Sequence, residues 1–430
     1  MPARWLATLG CLLFGLTICG AWAAEAPTTQ PPGGTRREQG AGPSSPSGSL
    51  VIIGGAEREL NTAIWSTIVE LAGGQGAPIA VFPTASDKPR AAGREVADIL
   101  KAAGAQAFVV PLALTGFDVS VEAAARDASL AARVREAGGV FFTGGNQMRI
   151  RQALVDKEGR NTPLLDAIWH SYRRGGVIAG SSAGAAVMSR LMFRQGGPLS
   201  TLVHGARLGK ELDSGLGFLD HDWFVDQHML ARGRFARTLV AMHSQGIRHG
   251  IGVDEDTAVV VQGNKGRVIG YRGALIMDLS QATAGMDAEG FWARNAKLSY
   301  VDHGGTIDFE TLKVTPAPEE LEERLIDPDG QGFRPLFKQR VFCNDILGHM
   351  AVFEVMYHLL ENVHDEGIGL AFDGEAARSG PTRGFEFRFY RQADTEGWDT
   401  GDFGGDDYTV VNIHCDIAPI EIAIQIQPKM

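Results

Sequence analysis

The sequence predicts an α/β fold, a mostly parallel, doubly wound sheet with an appended α+β or β-rich C-terminal module. Three observations carry this. From residue 50 onward, short apolar runs ending in glycine or proline alternate with stretches of helical apolar spacing. Those runs are apolar throughout rather than at every second position, so both faces of their sheet must be covered by helices. After residue 279 the alternation fades, and Ile420, Ile422, Ile424 and Ile426 recur with the period of two that marks a strand.

Each element has its own signal. Residues 50–55, Leu-Val-Ile-Ile-Gly-Gly, form a short buried strand that ends where glycines allow a sharp turn. Helical spacing fills 60–71. The strand 78–82 is closed by Pro83-Thr84-Ala85-Ser86. A helix over 90–103, a strand over 107–111 and an Ala/Arg-rich helix over 121–137 follow. The strand 139–142 runs into Thr143-Gly144-Gly145-Asn146-Gln147. A helix over 163–174 leads to the strand 175–179, and a helix starts at 183–188. In such βαβ arrangements ligands bind beyond the carboxyl ends of the strands, where these polar turns fall. In the last third, 344–362 has helical character.

Length and ends set the organisation. A chain of 430 residues has material for two or three domains. Its formal net charge of −11 argues against nonspecific binding to nucleic acid or anionic membrane. Arg4, the apolar stretch 6–18 and Ala21-Trp22-Ala23 read as a cleaved signal peptide over 1–24, which predicts a secreted or periplasmic protein. That stretch is shorter than the roughly 20 residues a spanning helix needs, and no later segment is long and apolar enough to span a bilayer. Residues 25–48, rich in Pro, Gly, Ser and Thr, read as a disordered linker. A catalytic domain is expected over 49–315 and an accessory module over 316–430. Cleavage would leave two cysteines, Cys343 and Cys415, whose pairing the sequence leaves open.

The chemistry starts at Gly180-Ser181-Ser182-Ala183-Gly184, which follows an apolar strand and opens a helix. A G-x-S-x-G at such a turn lifts the central hydroxyl above the sheet, beside backbone N–H groups that can hold an oxyanion. Ser182 is therefore a candidate nucleophile, although similar patterns also make plain tight turns. A base and an orienting acid must accompany it. His228 stands out among 11 histidines, because Asp226-Gln227-His228 lies next to Trp223 and Phe224 and ahead of Arg232, Arg234 and Arg237. The acids Asp254-Glu255-Asp256 follow a strand-like run, but on spacing alone they suit an acidic turn or helix cap better than a catalytic carboxylate. The order Ser, His, acid also departs from the Ser, acid, His order of α/β-hydrolases.

Four segments together resemble the cyanophycinase family. They are 143–147, the serine turn 180–185, Asp226-Gln227-His228 with its three arginines, and Gly252-Val253-Asp254-Glu255-Asp256-Thr257-Ala258. The resemblance spans roughly residues 50–308. The family groups with aspartyl dipeptidases of class I glutamine-amidotransferase-like fold. It usually has threonine where this chain has Ser181. The resemblance implies Ser182 as nucleophile, His228 as general base and Glu255 as the acid that orients it. It implies an oxyanion hole from Ala183 with Gly145 or Asn146. Gln147, Asp226, Gln227, Arg232, Arg234 and Arg237 would line the substrate site. The implied substrate is cyanophycin, a polyaspartate backbone with arginine on each side-chain carboxyl, cleaved to β-Asp-Arg dipeptides without metal or cofactor. Arginines suit its free carboxylates and Asp226 its guanidinium groups. The family also tends to dimerise.

Other signals are weaker. Residues 50–55 lack the full G-x-G-x-x-G of a dinucleotide loop. His221, Asp222, Asp226 and His228 match no helix-based zinc spacing. Asp399, Asp402, Asp406 and Asp407 lack EF-hand spacing. Two rival functions remain at this stage: a dipeptidase for aspartyl or isoaspartyl peptides, and a binder of acidic polymers without catalysis.

Overall fold

The computed structural model describes residues 48–219, 222–317, 324–399, 401 and 407–424. The expected signal peptide and nearly all of the linker lie outside them, as do His221, Asp402, Asp406 and Ile426. None of the helices among the described residues is long and apolar enough to cross a membrane.

Two sheets organise the molecule. The first has nine strands. Its centre is five parallel strands in the order Ser49–Ile53, Val177–Ser181, Gly139–Phe142, Pro78–Phe82 and Gln106–Val109. Apart from the solvent-facing Pro78, the first four of these strands are buried along their length, which explains their unbroken apolar runs. Separate hydrophobic cores lie on its two faces, one around Leu50, Ile52, Phe82 and Phe142, the other around Val51, Ile53, Trp65 and Phe141. This is the doubly wound sheet expected. Beyond Ser49–Ile53 it continues with antiparallel strands, starting with Thr257–Gln262 and Lys265–Gly270.

Local chemistry moves some boundaries. The helix expected over 121–137 is broken into Val121–Ala125 and Ala128–Arg135, because the Asp127 side chain accepts the Leu130 N–H and caps a new start. The helix expected over 344–362 starts only at Ala351 and ends at Leu360. Ahead of it, Met350 sits at φ +60°, in the left-handed region, which a helix cannot contain.

The second sheet, of 11 strands, is mostly antiparallel. Its main path runs through Val341–Cys343, Glu366–Phe372, Thr382–Tyr390, Tyr408–Ile422, Gly290–Val301, Ala274–Asp278, His249–Val253 and Trp223–Gln227. The last two of these pair in parallel. The β-rich C-terminal part thus joins a sheet that begins far upstream of 316. Tyr408–Ile422 lies along Gly290–Val301, with Lys297 opposite His414 and Leu298 opposite Ile413. One core packs Phe224, Phe235 and Met242 with Phe353, Phe385 and Phe387. Cys343 and Cys415 are both free thiols.

Candidate active site

The site lies between the two sheets. Val177–Ser181 of the first sheet ends at Ser182, whose φ of 50° and ψ of −105° put it in a strained turn. The flanking glycines are steric necessities. A Cβ at Gly180 would overlap the Gly184 backbone, and one at Gly184 would overlap the Phe142 carbonyl. The strand Trp223–Gln227 of the second sheet ends at His228, also at positive φ. His249–Val253, its parallel neighbour, leads to Asp254 and Glu255.

The ends meet in hydrogen-bonding range. Ser182 Oγ is 2.8 Å from His228 Nε2, and His228 Nδ1 is 2.6 Å from Glu255 Oε1. The ring therefore lies between a hydroxyl and a carboxylate, the geometry in which a neutral imidazole accepts on one nitrogen and donates from the other. Burial lowers the His228 pKa below the ordinary histidine value, and the nearby Arg232 charge lowers it further, against the opposing pull of Glu255. The imidazole is consequently in its basic form at neutral pH.

The strand Ser49–Ile53 aligns these parts through its main chain. The Ile53 carbonyl accepts the Ser182 N–H at 3.0 Å, and the Gly54 carbonyl accepts the His228 N–H at 3.0 Å. The Gly55 carbonyl then accepts the Asp256 N–H at 2.8 Å. A side chain at Gly55, which has φ +114°, would strike the His228 ring. Three successive carbonyls thus join the serine turn, the histidine turn and the acidic turn.

The predicted oxyanion residues divide. Among the described residues the N–H groups of Ala183 and Gly145 have no acceptor, and a Cβ at Gly144 would press on the Ser182 Cβ. Asn146 is a correction. Its backbone N–H donates to the Ala85 carbonyl at 2.9 Å and its side-chain oxygen accepts the Met148 N–H, so its backbone N–H is not free for an oxyanion.

The predicted substrate-lining residues divide as well. Asp226 and Arg237 are both buried and bind each other through two bonds of 2.8 and 2.7 Å. Burial would raise the Asp226 pKa, but the Arg237 and Arg234 guanidiniums and the Gln227 N–H together outweigh it and hold the carboxyl below its usual range. Arg237 also stacks over Phe193 and donates to the Gly196 carbonyl. The expectation that both would meet substrate is corrected, because their charges are spent on each other. Gln227 is buried and accepts from Arg234 through its side chain and its backbone, at 2.6 and 2.9 Å. Burial pulls Arg234 down to about 10, so it keeps its charge at neutral pH. Gln147 is half-buried and donates to the Phe193 carbonyl. Arg232 is exposed, with no ion-pair partner among the described residues.

One further residue lies at the site without a sequence signal. Glu57 accepts the hydroxyl of Ser181, next to Ser182, at 2.6 Å. Burial raises its pKa, against the Ser181 hydrogen bond. Nothing in its surroundings along the chain distinguishes it from an acid leading into a helix.

Residues 50–269 match the pattern of Peptidase family S51. A cyanophycinase of Synechococcus elongatus is 35% identical over 242 residues, 55% of this chain and 69% of the relative. One from Geminocystis herdmanii is 32% identical over 271 residues, 61% of this chain and 94% of the relative. A third, from Trichormus variabilis, is 29% identical over 291 residues, 65% of this chain and 91% of the relative.

Proposed function

The chain belongs to peptidase family S51 and is a serine-type peptidase, and from that premise we propose that it hydrolyses cyanophycin to β-Asp-Arg dipeptides. The observation that carries the mechanism is the line of contacts from Ser182 through His228 to Glu255. In this reading His228 takes the Ser182 proton as Oγ attacks an Asp–Asp backbone carbonyl. Glu255 orients the ring and stabilises the imidazolium that forms. The N–H groups of Ala183 and Gly145 then face the developing oxyanion. The imidazolium protonates the leaving amine, and water, deprotonated by the same ring, releases the acyl group from Ser182. Arg232 meets the carboxylates of the substrate, while Asp226, Arg237, Gln227 and Arg234 act from behind by holding the histidine turn. The Ser181 hydroxyl donates to Glu57, a bond that a threonine hydroxyl at 181 would also make.

The N-terminal signal reading extends the proposal: the enzyme would act on polymer outside the cytoplasm. Wild type and Ser182→Ala, purified and incubated with insoluble cyanophycin, test the hydrolysis, and detection of the mature chain in the periplasm or medium tests the export. Wild type should release β-Asp-Arg detectable by mass, and the variant should be slower by at least about a thousandfold. Release by both proteins or by neither defeats the proposal. Cleavage of short aspartyl peptides alone would favour the dipeptidase reading.

A further inference from the structure

The family match ends at residue 269, yet the turn carrying Arg232 is held from beyond it. Met350 donates its backbone N–H to the Leu230 carbonyl at 3.0 Å. Gly233 runs so close to Leu347 that a Cβ there would overlap the Leu347 carbonyl. The Met350 sulfur touches the Arg272 guanidinium, and the same nitrogen pairs with Asp254 at 3.3 Å. Asp254 is fully buried, and its carboxylate accepts the N–H groups of Leu230 and Ala231 at 3.1 and 3.0 Å. The turn 230–234 is therefore gripped from two directions, by Asp254 with Arg272 and by the segment 347–350.

That segment is itself over-determined. Met350 is at φ +60°, uncommon for a long side chain, and such strain persists only where surrounding packing enforces it. Leu347 and Met350 both pack against the core shared by the second sheet and its helices. The catalytic groups have other supports, since Ser182 and His228 bond the carbonyls of Ile53 and Gly54. Arg232 is different: it is exposed and lacks a described ion-pair partner, so the turn beneath it sets the point from which its side chain reaches.

Resting on the serine-peptidase reading of this site, we propose that residues 347–350 are a positioning element that fixes Arg232 and so sets the preference for substrates with free carboxylates. A turn free to shift spreads the guanidinium over more positions and weakens its paired hydrogen bonds to a carboxylate, so loosening the support should cost about tenfold in kcat/KM through weaker binding.

The full-length double variant Leu347→Ala/Met350→Ala tests this against two substrates, cyanophycin and the neutral ester 4-nitrophenyl acetate. Expected is a roughly tenfold loss of kcat/KM on the polymer, carried by KM, with ester hydrolysis kept within about twofold. In an Arg232→Ala background the double variant should add nothing further, and Met350→Leu alone should keep the polymer rate. Unchanged polymer kinetics overturn the proposal, as do equal losses on both substrates or losses that add to those of Arg232→Ala. If the double variant does not fold, Leu347→Ala and Met350→Ala singly carry the same comparison. Wild type inactive on both substrates would instead defeat the serine-peptidase reading.

Discussion

The two sheets contribute to one site by different means. The first delivers Ser182 through a local device, a parallel strand, a strained turn and two glycines within five residues. The second delivers His228 and Glu255 through long-range pairing, with neighbouring parallel strands ending level with each other. Its stability depends on Tyr408–Ile422 lying against Gly290–Val301, more than a hundred residues away. A site assembled this way has one half encoded by a motif and the other by a topology. Removing the chain beyond 316 would therefore strip strands from the sheet that carries the histidine and the acid, rather than detach an independent body.

The largest effect should come from breaking the join itself. Ser182→Ala and His228→Ala each lose at least about a thousandfold in kcat/KM, and the double variant loses no more than either. Additive losses would mean that the two sheets act separately. Next, Arg237→Ala should cost about 3–5 kcal/mol in denaturant unfolding, because it strands the buried Asp226 carboxylate in the second sheet. Arg232→Ala, which removes an exposed side chain, should leave stability unchanged and weaken the binding of acidic substrates.

The pH profile sharpens the comparison further. The acid limb of kcat/KM should lie below the ordinary histidine value, since activity needs neutral His228 and its folded pKa is lowered. Arg232→Ala removes a lowering charge and should move that limb up; Glu255→Gln removes a raising one and should move it down. Unmoved limbs would disprove His228 as the titrating group. The smallest effect should be at Glu57, on the first sheet's side. Its carboxyl is raised on folding, so its stabilising contribution is full below the unfolded pKa and fades as pH rises through the folded one. Glu57→Gln should flatten that part of the dependence of Tm on pH.

The sequence reading reached the first sheet because each strand and turn there is signalled by neighbouring residues. His228 stood out by its neighbours, but its role and the choice of Glu255 came from a resemblance, since three acids in a row look the same at a helix cap and at a catalytic site. Asp226 and Arg237 were misplaced for a physical reason. A charge pattern shows which groups are present, but only the docking of Phe235–Gln245 onto the strand Trp223–Gln227 turns the two toward each other. Asn146 failed similarly, because the bond from its N–H to Ala85 spans two turns of the first sheet. The grip of 347–350 on the arginine turn had no local sign at all, and an apparently helical pattern concealed it.

The three carbonyls of Ile53, Gly54 and Gly55 have a consequence for how this enzyme can vary. Because backbone oxygen atoms do the aligning, an apolar replacement at 53 alters packing without altering which partner that oxygen meets. A Cβ at Gly54, by contrast, would overlap the Asp254 carbonyl, and one at Gly55 the His228 ring. Loss or gain of one residue there would shift every partner by a place, so tolerance of apolar changes at 53 should coexist with intolerance to side chains at 54 and 55 and to any change in loop length.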